Sequence, residues 1–310
     1  MELVVEARDI EKKYGDFKAV DGISFHVAQG EIFGLLGPNG AGKTTTILML
    51  LGMTEPTTGE IKVCGYDPNK EPLKVKRIAG YLPENVGFYE DMTARENLLY
   101  LARLNGIPDD VALKKIDDIL ETVGLSDVRD KLTGTYSKGM RQRLGLASVL
   151  IKDPKLVILD EPTTGIDPEG TEQVLSLIYK MSKEMGVSIL LSSHLLYQVQ
   201  QICDRVGIMF KGKMVAMGSI EEIGRQALGE REGIMKLSYE YINEEALNNL
   251  DGIEGIVEKR IDNHSIILKF NEDKKLDIVR EVVMRGFLPI EVKGREYSLE
   301  EIYIRYFREE

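Results

Sequence analysis

The 310-residue chain sets 40 Lys and Arg against 51 Asp and Glu, a formal charge of −11. That acidic balance argues against a nucleic-acid partner held by phosphate neutralisation. A content of 43% hydrophobic and 29% charged residues excludes a disordered polymer, and the length admits two domains.

Glu2, Glu6, Arg8 and Asp9 interrupt any leader-like start, and no apolar run approaches the ~18 residues of a membrane span. The expectation is a soluble, cytoplasmic chain that acts on a membrane only through a partner. Residues Leu3 to Val27 alternate apolar and polar around the turn Tyr14-Gly15-Asp16, which predicts short antiparallel strands. Tyr14 fits either a plain strand aromatic or a platform for an adenine ring.

An apolar run, Ile32-Phe33-Gly34-Leu35-Leu36, then meets Gly37-Pro38-Asn39-Gly40-Ala41-Gly42-Lys43-Thr44-Thr45 and a second apolar run from Thr46 to Leu51. Strand, glycine turn and helix in that order are the context of a phosphate-binding P-loop. Glycines let backbone N–H groups converge on an anion at dihedral angles that a Cβ forbids. The helix start adds unpaired N–H groups and the positive end of its dipole. Lys43 is expected on the β- and γ-phosphates, and the Thr44 hydroxyl on Mg²⁺.

Two further strands are expected at Ile61–Val63 and at Ile78–Glu84, with buried reduced thiols at Cys64 and Cys203. From Thr93 to Gly124 the apolar residues recur at helical spacing, a helical block inside an α/β chain. Ser137 sits where a helix N-cap belongs. Phe88, Tyr89 and Met92 fit either the core of that block or a groove for a helix from a membrane subunit.

The run Leu156-Val157-Ile158-Leu159-Asp160-Glu161 reads as a strand buried on both faces, with two carboxylates at its carboxyl end. Open α/β sheets bind ligands there. Beside a P-loop, Asp160 would hold the Mg²⁺ shell and Glu161 would polarise a water. A helix from Gly170 to Met185 leads to the strand Val187–Ser193, which ends at His194, within reach of the same phosphate.

A polar connector is expected at 218–233. Beyond it the pattern reads strand Ile234–Tyr239, helix Glu244–Leu250, strands Gly255–Ile261 and Ser265–Phe270, helix Lys274–Arg285, strand Leu288–Val292 and a last helix Ser298–Phe307. This βαββαβ order predicts a small ferredoxin-like α+β domain over 234–310. Its expected role is dimer contact, regulation or support for a membrane subunit, with His264 at a hairpin tip.

Residues 3–217 resemble the ATP-binding cassette of ABC transporters, because five further motifs follow in the family's order. Tyr14 matches the adenine-stacking aromatic, Gly37 to Thr45 the Walker A loop, and Tyr136-Ser137-Lys138-Gly139-Met140 the signature. Leu156 to Glu161 matches the Walker B strand with its catalytic glutamate, Gly165-Ile166-Asp167 the D-loop, and His194 the switch histidine. The family's usual glutamine is replaced by Glu84, whose carboxylate can still ligate Mg²⁺. The signature keeps Ser137 and Gly139 while its other positions differ, as in exporters with separate permease subunits.

The resemblance implies an α/β P-loop cassette over 1–217, with an antiparallel β subdomain and a helical subdomain at about 90–152. It implies an ATPase that uses Mg²⁺ with ATP as substrate and sits on the cytoplasmic face of the membrane through a permease. A second cassette, identical or different, would pack head to tail. Ser137 and Gly139 of one copy would then cap the γ-phosphate held by Lys43 of the other, with Asp167 signalling across the interface. A DNA- or ribosome-acting ATPase of this class is disfavoured by the single cassette and the absence of heptads. A non-hydrolysing regulator is disfavoured by Glu161 and His194.

Overall fold

The computed structural model describes residues 2–228, 233–240, 250–262, 265–271, 274–286, 288–294 and 298–308. The chain divides into two compact units, Met1–Ser219 and Ile220–Glu310.

In the first unit a hairpin of β1 (Leu3–Tyr14) and β2 (Phe17–Ala28) turns at Gly15-Asp16, where Gly15 takes φ +59°. Strand β4 (Thr58–Val63) pairs with β1, giving an antiparallel sheet of order β2-β1-β4. The alternation from Leu3 to Val27 is therefore one buried face and one wet face.

The central sheet has six strands. They are β3 (Ile32–Leu36), β5 (Ala79–Leu82), β6 (Leu156–Asp160), β7 (Ser188–Ser193), β8 (Arg205–Phe210) and β9 (Lys213–Gly218). Their order is β5-β6-β7-β3-β8-β9, with β9 antiparallel to its neighbour and the rest parallel. Every residue of β3, β6 and β7 is buried, so these runs are almost wholly apolar until their carboxyl ends, with Ser188 opening β7. Phe33, Leu35, Ile158 and Leu190 share one core with Val5, Phe25 and Ile47, which ties the two sheets and the first helix together. Each such side chain contributes about 1.5–3 kcal/mol relative to exposure. Because β7 lies between β6 and β3, the carboxyl ends of all three open on one crevice.

Helix α1 (Lys43–Leu50) starts at Gly42, and α2 (Pro72–Ile78), unanticipated from sequence, precedes β5. The helical block from Thr93 to Gly124 is two helices, α3 (Ala94–Leu104) and α4 (Asp109–Thr122). Gly106 at φ +74° and Pro108 break it between them. Thr93 and Glu96 form a reciprocal capping box at the start of α3, satisfying two orphan donors. Ser137 caps α5 (Lys138–Leu150), and Asp167 caps α6 (Pro168–Lys183). The short α7 (Leu196–Ile202) joins β7 to β8.

In the second unit the residues expected as a polar connector contain helix α8 (Ile220–Leu228). Strands β10 (Gly233–Ser238), β11 (Ile256–Asp262), β12 (Ser265–Phe270) and β13 (Glu291–Gly294) form an antiparallel sheet of order β11-β12-β10-β13. That is the strand order of a split βαβ pair, as the ferredoxin-like expectation required. Helix α9 (Lys275–Met284) sends Ile278 and Val282 into a core with Met235, Leu237, Leu268 and Phe270. Helix α10 (Leu299–Arg308) packs on α8, burying Ile223, Leu299 and Ile302. Strand β13 starts three residues later than expected, at Glu291 rather than Leu288. Most of the helix expected at Glu244–Leu250, and His264, lie outside the described residues.

Candidate active site

The loop between β3 and α1 is shaped by backbone that only glycine tolerates. Gly37 takes φ +152°, and a Cβ there would stand 2.4 Å from Met209 O. At Gly42, with φ +104°, a Cβ would stand 2.5 Å from Ala19 O. A methyl group at either position would collide with backbone, so the cradle stays open for an anion.

Lys43 is buried, and its ammonium donates to Gly37 O at 2.8 Å and to Pro38 O at 3.3 Å. It also faces Glu161 Oε1 at 3.5 Å. Thr44 Oγ1 donates to Asp160 Oδ2 at 3.2 Å. Asp160 is buried, and its other oxygen accepts from Ser192 Oγ, its register partner on β7.

Glu161 leaves β6 at φ +50°, a left-handed conformation that costs a non-glycine residue on the order of 1–3 kcal/mol. Its N–H is held by Ser192, at 3.2 Å from the carbonyl oxygen and 3.1 Å from Oγ. Oε2 stands 2.8 Å from His194 Nδ1 and accepts from Thr164 Oγ1 at 3.3 Å. Oε1 is buried yet has no hydrogen-bond partner among the described residues. Its charged neighbour is the Lys43 ammonium at 3.5 Å, which leaves the oxygen able to accept a hydrogen bond.

Glu84 and Glu161 line one cavity of about 360 Å³ with Asn39, Gly40, Ala41, Gly42, Lys43, Thr44 and Thr45. Phe17 and Ala19 close its other side. Phe17, rather than Tyr14, is the aromatic on this cavity. The two are cross-strand partners in the β1–β2 hairpin, and the Lys12 ammonium lies 5.1 Å from the Tyr14 ring centroid.

A second group of expected residues lies elsewhere on the unit. Ser137 Oγ accepts from Met140 N at 3.2 Å. Gly139 is buried, and a Cβ there would stand 3.4 Å from Ile166 Cγ2. Asp167 Oδ2 accepts from Gly170 N at 3.2 Å. None of Ser137, Gly139 and Asp167 lines the P-loop cavity.

A third feature is a groove of about 290 Å³ lined by Gly87, Phe88, Tyr89, Asn97, Tyr100 and Leu101. Buried Asn97 organises it, accepting from Tyr89 N at 2.9 Å and donating to Tyr89 O at 3.1 Å. The Tyr89 and Tyr100 rings meet edge to face at 5.3 Å.

Among the described residues no three His, Cys, Asp or Glu side chains converge as a metal cage. Magnesium does not require one, since it is commonly held by one or two carboxylates together with substrate phosphates. The paired oxygens of Thr44 and Asp160, the Glu84 carboxylate on the same cavity and the glycine cradle fit an Mg²⁺–nucleotide. Cys64 and Cys203 are free, and burial pushes both thiols above their ordinary range.

Sequence reasoning missed Ser192 and Phe17. The serine pair ending an apolar strand was the available signal for the first. The second had only its position one turn after Tyr14.

Fold and site together define a P-loop ATPase of the cassette type. The ABC transporter family model matches residues 20–164. The chain is 46% identical over 215 residues to the bacitracin transport ATP-binding protein BcrA of Bacillus licheniformis, covering 69% of each. It is 39% identical over 242 residues to the linearmycin resistance ATP-binding protein LnrL of Bacillus subtilis, covering 78% of this chain and 76% of that one. A solved ATP-binding subunit of an ABC transporter superposes with a TM-score of 0.65 at 31% identity, over 72% of this chain and 92% of that one. The chain belongs to the ATP-binding proteins of ABC transporters.

Proposed function

We propose that this chain is the ATP-hydrolysing subunit of an ABC exporter and works through a separate membrane permease. The observation that carries the reading is the convergence on one cavity of Lys43, Thr44 and Glu161, with Asp160 behind Thr44 and His194 on the Glu161 carboxylate.

Lys43 and the loop amides from Asn39 to Thr45 hold the phosphates, and Thr44, Asp160 and Glu84 would hold Mg²⁺, which neutralises phosphate charge when bound. Glu161 accepts a proton from the attacking water through its orphan Oε1. The water oxygen bonds to the γ-phosphorus as the bond to the ADP oxygen breaks. General-base assistance of this kind supplies on the order of 10²–10⁴ in rate. His194 orients Glu161 and senses the γ-phosphate.

Ser137 and Gly139 stand at the N-terminal end of α5, away from the cavity of their own chain. That separation supports their action in trans, on ATP held by a second cassette packed head to tail. Asp167 carries the signal across that interface. Loss of the bridging γ-phosphate lets the two copies part. The groove at Phe88, Tyr89 and Asn97 suits a helix of the permease. No helix of the described residues is long and apolar enough to cross a membrane, so the permease would hold the chain at the cytoplasmic face.

Export is supported by the printed roles of two relatives, bacitracin transport and linearmycin resistance. Affinity capture of the tagged chain from detergent-solubilised membranes tests the reading. A multi-span protein should co-purify and stimulate ATP hydrolysis. Capture of ribosomes or nucleic acid in its place would overturn it.

A further inference from the structure

We propose that strand β13 is a self-complementary edge through which two copies of this chain join their C-terminal sheets, independently of nucleotide.

Strand β13 ends the sheet order β11-β12-β10-β13, and its outer side has no strand partner among the described residues. Its N–H and C=O groups on that side form an open template for another strand. Its apolar side chain, Val292, and Ile290 just before it are partly or largely uncovered. Val292 stands opposite fully buried Leu237, on the core face of the sheet, yet is 44% exposed. Ile290, just before the strand, is 72% exposed.

The other edge of the same sheet is blunted. Strand β11 has a register irregularity between Ile256 and Glu258 and then carries Glu258, Lys259 and Arg260. Bulges and runs of charge are the usual devices against edge pairing. Strand β13 keeps an unbroken register with β10 and carries one acid and one base, Glu291 and Lys293, while Pro289 stops any pairing from extending beyond Ile290.

The occupant that matches this edge is a second copy of it. Antiparallel pairing centred on Val292 sets Glu291 opposite the partner's Lys293, and Lys293 opposite the partner's Glu291. In the single chain these two side chains only salt-bridge each other along the strand, at 3.0 Å. The same pairing sets Ile290 opposite the partner's Gly294, which offers room for the larger side chain. Val292 then meets its own copy on the core face, extending the apolar layer across the twofold axis. An arrangement in which i meets j and j meets i is what an isologous dimer requires. Two four-stranded sheets would become one of eight.

The test uses the full chain without nucleotide, which separates this contact from any ATP-bridged cassette dimer. Sedimentation equilibrium should show a reversible dimer. Glu291→Lys sets lysine against lysine at both cross-strand positions and should weaken the dimer about tenfold or more. Glu291→Lys combined with Lys293→Glu restores opposite charges and should return the affinity to within about threefold of the original. That rescue also separates a lost contact from a misfolded domain. Val292→Cys should give a disulfide-linked dimer under mild oxidation, while Val257→Cys on the opposite edge should not. A chain that stays monomeric, a dimer indifferent to Glu291→Lys, or equal cross-linking at Val257→Cys would each overturn the proposal.

Discussion

His194 Nδ1 lies 2.8 Å from Glu161 Oε2, and the Lys43 ammonium stands 3.5 Å from the other oxygen of that carboxylate. Glu161 is thus held between a histidine on the loop after β7 and the P-loop lysine, on a backbone at φ +50°. Ser192 anchors that backbone through two acceptors. The carboxylate cannot swing away without losing both flanking groups, so its Oε1 is presented to the cavity in a fixed position.

Replacing Glu161 with Gln keeps the shape but removes the proton acceptor. ATP should still bind, and hydrolysis should fall by about 10²-fold or more. Light scattering should then detect an ATP-dependent dimer that persists. Near-normal turnover would remove Glu161 from the role of base.

Lys43→Ala should act earlier in the cycle. The ammonium now donates to Gly37 O and Pro38 O, and on binding it would exchange those carbonyls for phosphate oxygens. Its removal costs a charge-assisted contact in the ground state, so titration calorimetry should register weaker nucleotide binding, by about tenfold or more. Unchanged affinity would mean that the ammonium stays on the loop carbonyls.

Glu84 lines the cavity with Glu161, and in the proposed site its carboxylate would add negative charge near the γ-phosphate. Glu84→Gln keeps an oxygen that can ligate the metal and removes that charge. ATP affinity should rise by about threefold, a modest gain because water and Mg²⁺ screen the site. If only permease-stimulated hydrolysis changes, Glu84 serves coupling instead. No change in either assay would place it outside both roles.

Phe17 lines the cavity, whereas Tyr14 stands across the hairpin beside Lys12. Stacking of a base on an aromatic ring contributes about 1–3 kcal/mol. Phe17→Ala should therefore weaken ATP binding by about fivefold or more, while Tyr14→Ala should have the smaller effect. The reverse order would return the adenine platform to Tyr14. Free inorganic triphosphate, which has no base, should bind both variants equally.

The parts of this protein legible in its sequence are those whose physics is local. The cradle from Gly37 to Thr45 is nine consecutive residues, and its glycine spacing and helix start are read from that segment alone, although Met209 and Ala19 also crowd two of its glycines. The caps at Ser137 and Asp167 depend on contacts within three residues. The apolar run of β6 shows its double-sided burial directly, and the C-terminal alternation shows the ferredoxin-like order of elements.

Contacts between distant segments were decided only by the tertiary structure. Ser192 supports Asp160 and Glu161 because β7 pairs beside β6, and nothing in either strand states that neighbour. Phe17 rather than Tyr14 lines the cavity, on the same strand as Ala19, whose carbonyl oxygen lies against Gly42 of the P-loop. Leu288 and Ile290 share the apolar alternation of a strand but fall outside β13, since β10 offers register partners only from Glu291 to Gly294. Local preference sets which conformations a segment can adopt. Which side chains meet across a sheet depends on pairing order and register, and those belong to the assembled fold.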